Sequence, residues 1–62
     1  MIAINKKSGE HYIILQEDIV NATNKNNSER MVLYVKESEA GLDDPQLYVR
    51  ETTEFYDKFD IK

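Results

Sequence analysis

The sequence predicts a small, mainly β domain: an all-β barrel or curled antiparallel sheet with a short C-terminal helix. An open sheet of four or five strands with the helix across one face is the alternative. Three observations carry this expectation. Arg30-Met31-Val32-Leu33-Tyr34-Val35-Lys36 holds five consecutive apolar or aromatic residues between two cations, too short a run for a stable helix and well suited to a pleated surface. Shorter apolar runs recur along the chain, separated by polar loops. Finally, Phe55, Tyr56 and Phe59 follow a helical rather than an alternating spacing.

Each element follows in order. Ile2 to Asn5 alternates as a first strand, and Lys6 to Glu10 reads as a polar turn in which Gly9 supplies positive φ. His11 to Gln16 forms the second strand. Gln16-Glu17-Asp18 interrupts it before Ile19-Val20 resumes an extended pair. Asn21 to Ser28, with four Asn, reads as a hairpin loop. The central strand occupies 30–36, and side-chain alternation places Val32 and Tyr34 on one face and Met31, Leu33 and Val35 on the other. Both faces are apolar, so the strand is expected to be central and covered on both sides, or nearly so. Glu37 to Gln46 is a second long loop containing Gly41 and Pro45. A fourth strand near 46–50 is expected to turn Leu47 and Val49 inward, and a helix near 52–58 starts at a Thr cap with Lys58 late. The expected core is Tyr12, Ile14, Val32, Tyr34, Leu47, Val49, Phe55 and Phe59.

The 62 residues are read as a single domain, 1–62, of marginal size for an independent core. There is no Cys and only one His, which removes disulfides and the common zinc patterns, so neither metal nor cofactor is expected. Twelve acids against eight bases give a net charge of −4. That balance argues against direct binding of nucleic acid, and no run approaches a membrane span. The opening apolar residues precede the first cations, the reverse of a secretory leader, so a cytoplasmic protein is expected.

Candidate chemistry is sparse. Neighbouring Glu10 and His11 point to opposite faces of a strand, which argues against an acid–base pair. Glu37, Glu39, Asp43 and Asp44 offer oxygen ligands for a hard cation, but their spacing does not fit a calcium loop, and a solvated acidic loop is the plainer reading. Glu51, Glu54, Asp57 and Asp60 recur every three residues; on a helix they form an acidic stripe that could dock a basic protein partner. Tyr34, Tyr48 and Arg50 could share one sheet face, where an aromatic pair and a planar cation would hold a small anion or a nucleotide. The plainer alternative makes Tyr34 core and pairs Arg50 with Glu29 or Glu51. No reaction centre stands out, so the chain is read as a non-catalytic interaction module.

Gly9-x-x-Tyr12-x-Ile14-Leu15, Glu29-x-x-Val32-x-Tyr34, Leu47-Tyr48-Val49-Arg50 and Glu54-Phe55 together resemble a small bacterial and phage family of unknown function, DUF1653, from Gly9 to about Phe59. Its pattern differs at Asn21 to Ser28, at Glu51 where the family has Pro, and in the longer acidic loop before Leu47. The resemblance implies an SH3-like β-barrel and, together with the small size, an accessory protein of a phage or mobile element. It implies no activity.

One expectation concerns association. The second and central strands are apolar on both faces, more than one short helix can cover. The leftover face, with Ile13, Leu15, Met31, Leu33 and Val35, would form an exposed patch, so a two-fold homodimer is expected.

Overall fold

A computed structural model describes residues 1–23 and 29–62. The chain runs β1 (Ile2–Asn5), β2 (His11–Val20), β3 (Arg30–Lys36), a 3-10 turn (Glu37–Glu39), β4 (Leu47–Glu51), α1 (Thr52–Lys58) and β5 (Phe59–Ile61). The strands form one antiparallel sheet in the order β4-β3-β2-β1-β5, with the most apolar strand at neither edge. Among the described residues β4 and β5 are the two edges and do not pair. The sheet is therefore open, and closure into an SH3-like barrel is not seen among them.

Local chemistry accounts for the elements. In the first turn, the Asn5 side-chain oxygen accepts the backbone N–H of Lys7 and of Ser8, each at 2.9 Å, and Gly9 takes φ +73°. That positive φ is where a side chain would be strained. The interruption expected at Gln16–Asp18 is instead a pair of register shifts within one continuous β2. Asp18 adopts φ 57° there, the left-handed region that Asp tolerates, and its carboxylate pairs with Arg30 at 3.0 Å. The expected Asn-rich hairpin loop lies largely outside the described residues. At its near end Asn21 accepts the Thr23 N–H and donates to Glu29.

The helix matches the expected 52–58, but its cap is Glu51 rather than a Thr. Both Glu51 carboxylate oxygens accept backbone N–H groups, from Thr53 at 2.9 Å and Glu54 at 3.1 Å. Thr52 uses its hydroxyl elsewhere, donating to the Arg30 carbonyl on β3 at 2.9 Å.

α1 packs on one face of the sheet, around a cluster of Ala3, Val32, Tyr34, Phe55 and Phe59. Tyr12, Ile14, Tyr48 and Tyr56 surround it. Phe55 and Phe59 stack at 4.3 Å, and Tyr34 meets Tyr12, Phe55 and Phe59 at 5.0–5.4 Å, aromatic geometries favourable beyond their burial alone. Phe59 reaches this core from β5, a strand absent from the expected elements, rather than from the helix.

Two core expectations are overturned. Leu47 is 47% and Val49 58% exposed. The register pairs Tyr48 with Tyr34 and Arg50 with Val32, so Tyr48 and Arg50 take the helix side, and alternation puts Leu47 and Val49 on the opposite face. β3 lies inside the sheet and is nearly covered on both sides, its second face less fully than its first. Across that second face run Ile2, Ile13, Val35 and Leu47 in direct register, with Leu33 beside Val49. Val35 is buried, Ile13, Met31 and Leu33 are half-buried, and the β4 residues are open. Leu15 falls at a register shift, so Gln16 rather than Leu15 stands opposite Leu33.

Candidate functional site

The residues Tyr34, Tyr48 and Arg50 are brought together, because β4 pairs with β3 in the register that puts all three on the helix side. The two tyrosine rings stack at 5.5 Å with an interplanar angle of 25°. Arg50 Nε donates to the Tyr34 hydroxyl at 3.2 Å, and its Nη1 donates to Glu54 at 2.9 Å. Its guanidinium carbon also lies 6.0 Å from the Phe59 ring centroid. The Tyr34 hydrogen bond, with Glu54 in support, raises the Arg50 pKa above its ordinary value against the cost of desolvation. Arg50 therefore pairs with Glu54, not with Glu29 or Glu51.

This geometry assigns the three residues different work. Tyr34 is buried, so its ring faces the core rather than a ligand. Tyr48 and Arg50 are half-buried, so part of each side chain remains accessible at the surface.

The four acids expected as one stripe are dispersed. Glu51 folds back onto the helix N-terminus, and its two backbone N–H bonds lower its pKa. Glu54 is bound to Arg50. The helix ends at Lys58, so Asp60 falls on β5, opposite Ile4 on the other side of the sheet. Only Glu54 and Asp57 lie on the helix itself, at i and i+3. A three-residue repeat makes a stripe only while the helix continues, and here it stops.

The other candidates resolve simply. His11 lies 3.6 Å from Glu37, not against Glu10, which instead pairs with Lys36 at 3.4 Å. Among the described residues no group of three or more His, Asp or Glu side chains could hold a metal ion.

One feature escaped the sequence reading. A cleft of about 400 Å³ is lined by Asn5, Lys6, Lys7, Arg50, Asp57 and Lys58. The first turn, β4 and the end of α1 each contribute, and the Lys6 N–H donates to the Lys58 carbonyl at 3.0 Å to join two of them. In the sequence the only sign was the Lys6-Lys7 pair; its partners lie more than forty residues away.

No family model, curated protein or solved structure matches the chain.

Proposed function

We propose that the chain is a non-catalytic interaction module, and that it associates with a second copy of itself through the β4 edge of its sheet. The observation that carries this reading is the character of β4. It is an edge strand with no partner on its outer side among the described residues, and Leu47 and Val49 are its exposed side chains. Unpaired edges of this kind are templates for strand addition unless blocked by charge, Pro or a bulge. Pro45 stands before the strand, outside it.

The strand is also complementary to itself. An antiparallel pairing centred on Val49 sets Val49 against Val49 of the second copy. Tyr48 then faces the second copy's Arg50, an aromatic–cation pair, on both sides of the two-fold axis. Leu33 and Leu47 extend the apolar surface behind the joint. A two-fold contact needs only one such patch. The curl toward an SH3-like shape belongs to the same proposal, since the β2 register shifts are the place where the sheet would bend. The setting, an accessory role for a phage or mobile element in a bacterial cytoplasm, rests on the resemblance to DUF1653.

Val49→Lys tests this directly, because Val49 is exposed and its loss should leave the fold intact. Gel filtration should show a shift from the mass of two chains to one, with an unchanged circular dichroism spectrum. A variant that still elutes with the unaltered chain would remove β4 from the interface.

A basic protein partner is the second reading. It is favoured by Asp57, which makes no ion pair among the described residues, and by Asp60, whose side chain is 72% exposed. Binding of that kind weakens steeply with salt, whereas a β4–β4 joint built on backbone bonds and apolar contact does not.

A further inference from the structure

In a chain of net charge −4, four of the eight basic residues line one cleft, and among the described residues Asp57 is the one acid lining it with them. Lys6 leans toward Asp60 at 4.0 Å and Arg50 holds Glu54 at 2.9 Å. Lys7 and Lys58 have no carboxylate within ion-pair distance among the described residues. Like charges gathered in this way repel one another, and a bound anion would relieve that repulsion. Part of the site is already fixed. The turn carrying Lys6 and Lys7 is fixed by Asn5, the Lys6 backbone is tied to the end of α1, and Arg50 is braced by Tyr34. A site whose backbone and guanidinium are already in place loses less on binding, and only its lysine side chains remain to be ordered.

The remaining lining narrows the chemistry. Among the described residues no aromatic ring lines the cleft, so none of them would stack a nucleobase there. Asp57 is out of place in a site for a bare anion, since a carboxylate repels phosphate oxygens; it is well suited to accept hydrogen bonds from hydroxyl groups. Asn5 spends its side-chain oxygen on the turn and keeps its amide N–H₂ as a donor. The volume lies in the range of small-molecule sites. We infer that this cleft binds a small phosphate ester bearing hydroxyl groups, of the sugar-phosphate type. The phosphate sits among Lys6, Lys7, Lys58 and Arg50, and the hydroxyls face Asp57.

The cleft shares Arg50 with the β4 joint, so its test uses substitutions outside that strand and probes that the joint alone would not bind. Amide chemical-shift titration at low ionic strength, with glucose 6-phosphate, inorganic phosphate and glucose as probes, reads the site. Glucose 6-phosphate should saturate and shift amides of the first turn and the end of α1, inorganic phosphate should bind more weakly, and glucose should not bind. The double variant Lys7→Gln/Lys58→Gln, both exposed positions, should bind glucose 6-phosphate at least about tenfold more weakly at unchanged melting temperature. Asp57→Asn should strengthen inorganic phosphate and narrow its gap to the ester. Three results overturn the inference: no saturable shift with glucose 6-phosphate, equal binding of inorganic phosphate, or undiminished binding by the double variant. Tighter binding of a short single-stranded oligonucleotide than of the ester would also overturn it, by showing a backbone-tracking surface instead.

Discussion

Arg50 on β4 reaches diagonally across to β3 and donates its Nε–H to the hydroxyl of Tyr34 at 3.2 Å. The tyrosine ring is 3% exposed, so this one cation gives a polar atom at the edge of the core its hydrogen bond, while Glu54 holds the other end of the guanidinium. A buried hydroxyl left without a partner costs about 1–3 kcal/mol. Arg50→Met should therefore destabilise the fold by an amount in that range in urea unfolding, and Tyr34→Phe in the same background should recover part of it. A double-mutant cycle with no coupling would mean that the hydrogen bond contributes nothing.

The two faces of the sheet should respond differently to truncation. Phe55 is fully buried and packs on Tyr34, Phe59 and Tyr56. Phe55→Ala should cost about 3–5 kcal/mol, enough to unfold a domain of this size at room temperature. Val49→Ala, read at concentrations where the chain is a monomer, should stay within about 0.5 kcal/mol, as for other exposed positions. Thermal melts of the two variants check the pair, and equal losses would contradict the placement of the core.

Much of this fold was legible in the sequence because its signals are local. β1, β3 and α1 fall where alternation and helical spacing put them, and Tyr34, Tyr48 and Arg50 do share a face. What was not legible depends on register. A slip of one residue on β4 exchanges Tyr48 and Arg50 for Leu47 and Val49, and apolarity alone favours the latter pair as core. The aromatic cluster prevails here, since Tyr48 stacks on Tyr34 and Arg50 finds both Tyr34 and Glu54. β5 was hidden because Phe59 satisfies a helical stripe and a strand equally well. The Lys6, Lys7 and Lys58 cleft was hidden for another reason: only the completed topology brings the first turn beside the end of α1.

The cap at Glu51 sets an acid limit on the helix. Its folded pKa is lowered below the ordinary Glu value of about 4.3 by the Thr53 and Glu54 N–H groups. A carboxylate whose pKa is lower in the folded state stabilises the fold above its unfolded pKa, and that contribution is lost as pH falls through the folded value. Melting temperature should therefore decline below about pH 4.3. Glu51→Gln should melt lower than the unaltered chain at neutral pH, and the difference should shrink on acidification. A gap that stays constant with pH would show that the cap does not depend on charge.

The opposite limit comes from Tyr56, whose hydroxyl donates to Glu17 on β2 and ties the helix to the region of the register shifts. That hydrogen bond, then burial and the Glu17 charge, raise its folded pKa above the ordinary Tyr value of about 10. Here the stabilisation is complete below the unfolded pKa and disappears as pH rises through the folded one. Absorbance titration of the phenolates should show a tyrosine ionising late that Tyr56→Phe removes, and the variant should lose less stability than the unaltered chain between neutral and strongly alkaline pH. Should the ionisation that Tyr56→Phe removes lie at the ordinary Tyr value of about 10, the bond to Glu17 is not formed in solution.

The exposed β4 edge either joins two copies or stays unpaired. Static light scattering of the unaltered chain across micromolar concentrations, at low and high salt, measures this most directly. With the edge joined, the mass should approach twice the 7.3 kDa of one chain as concentration rises, with little dependence on salt. A mass of 7.3 kDa at every concentration would contradict it and leave β4 an edge that the chain keeps to itself.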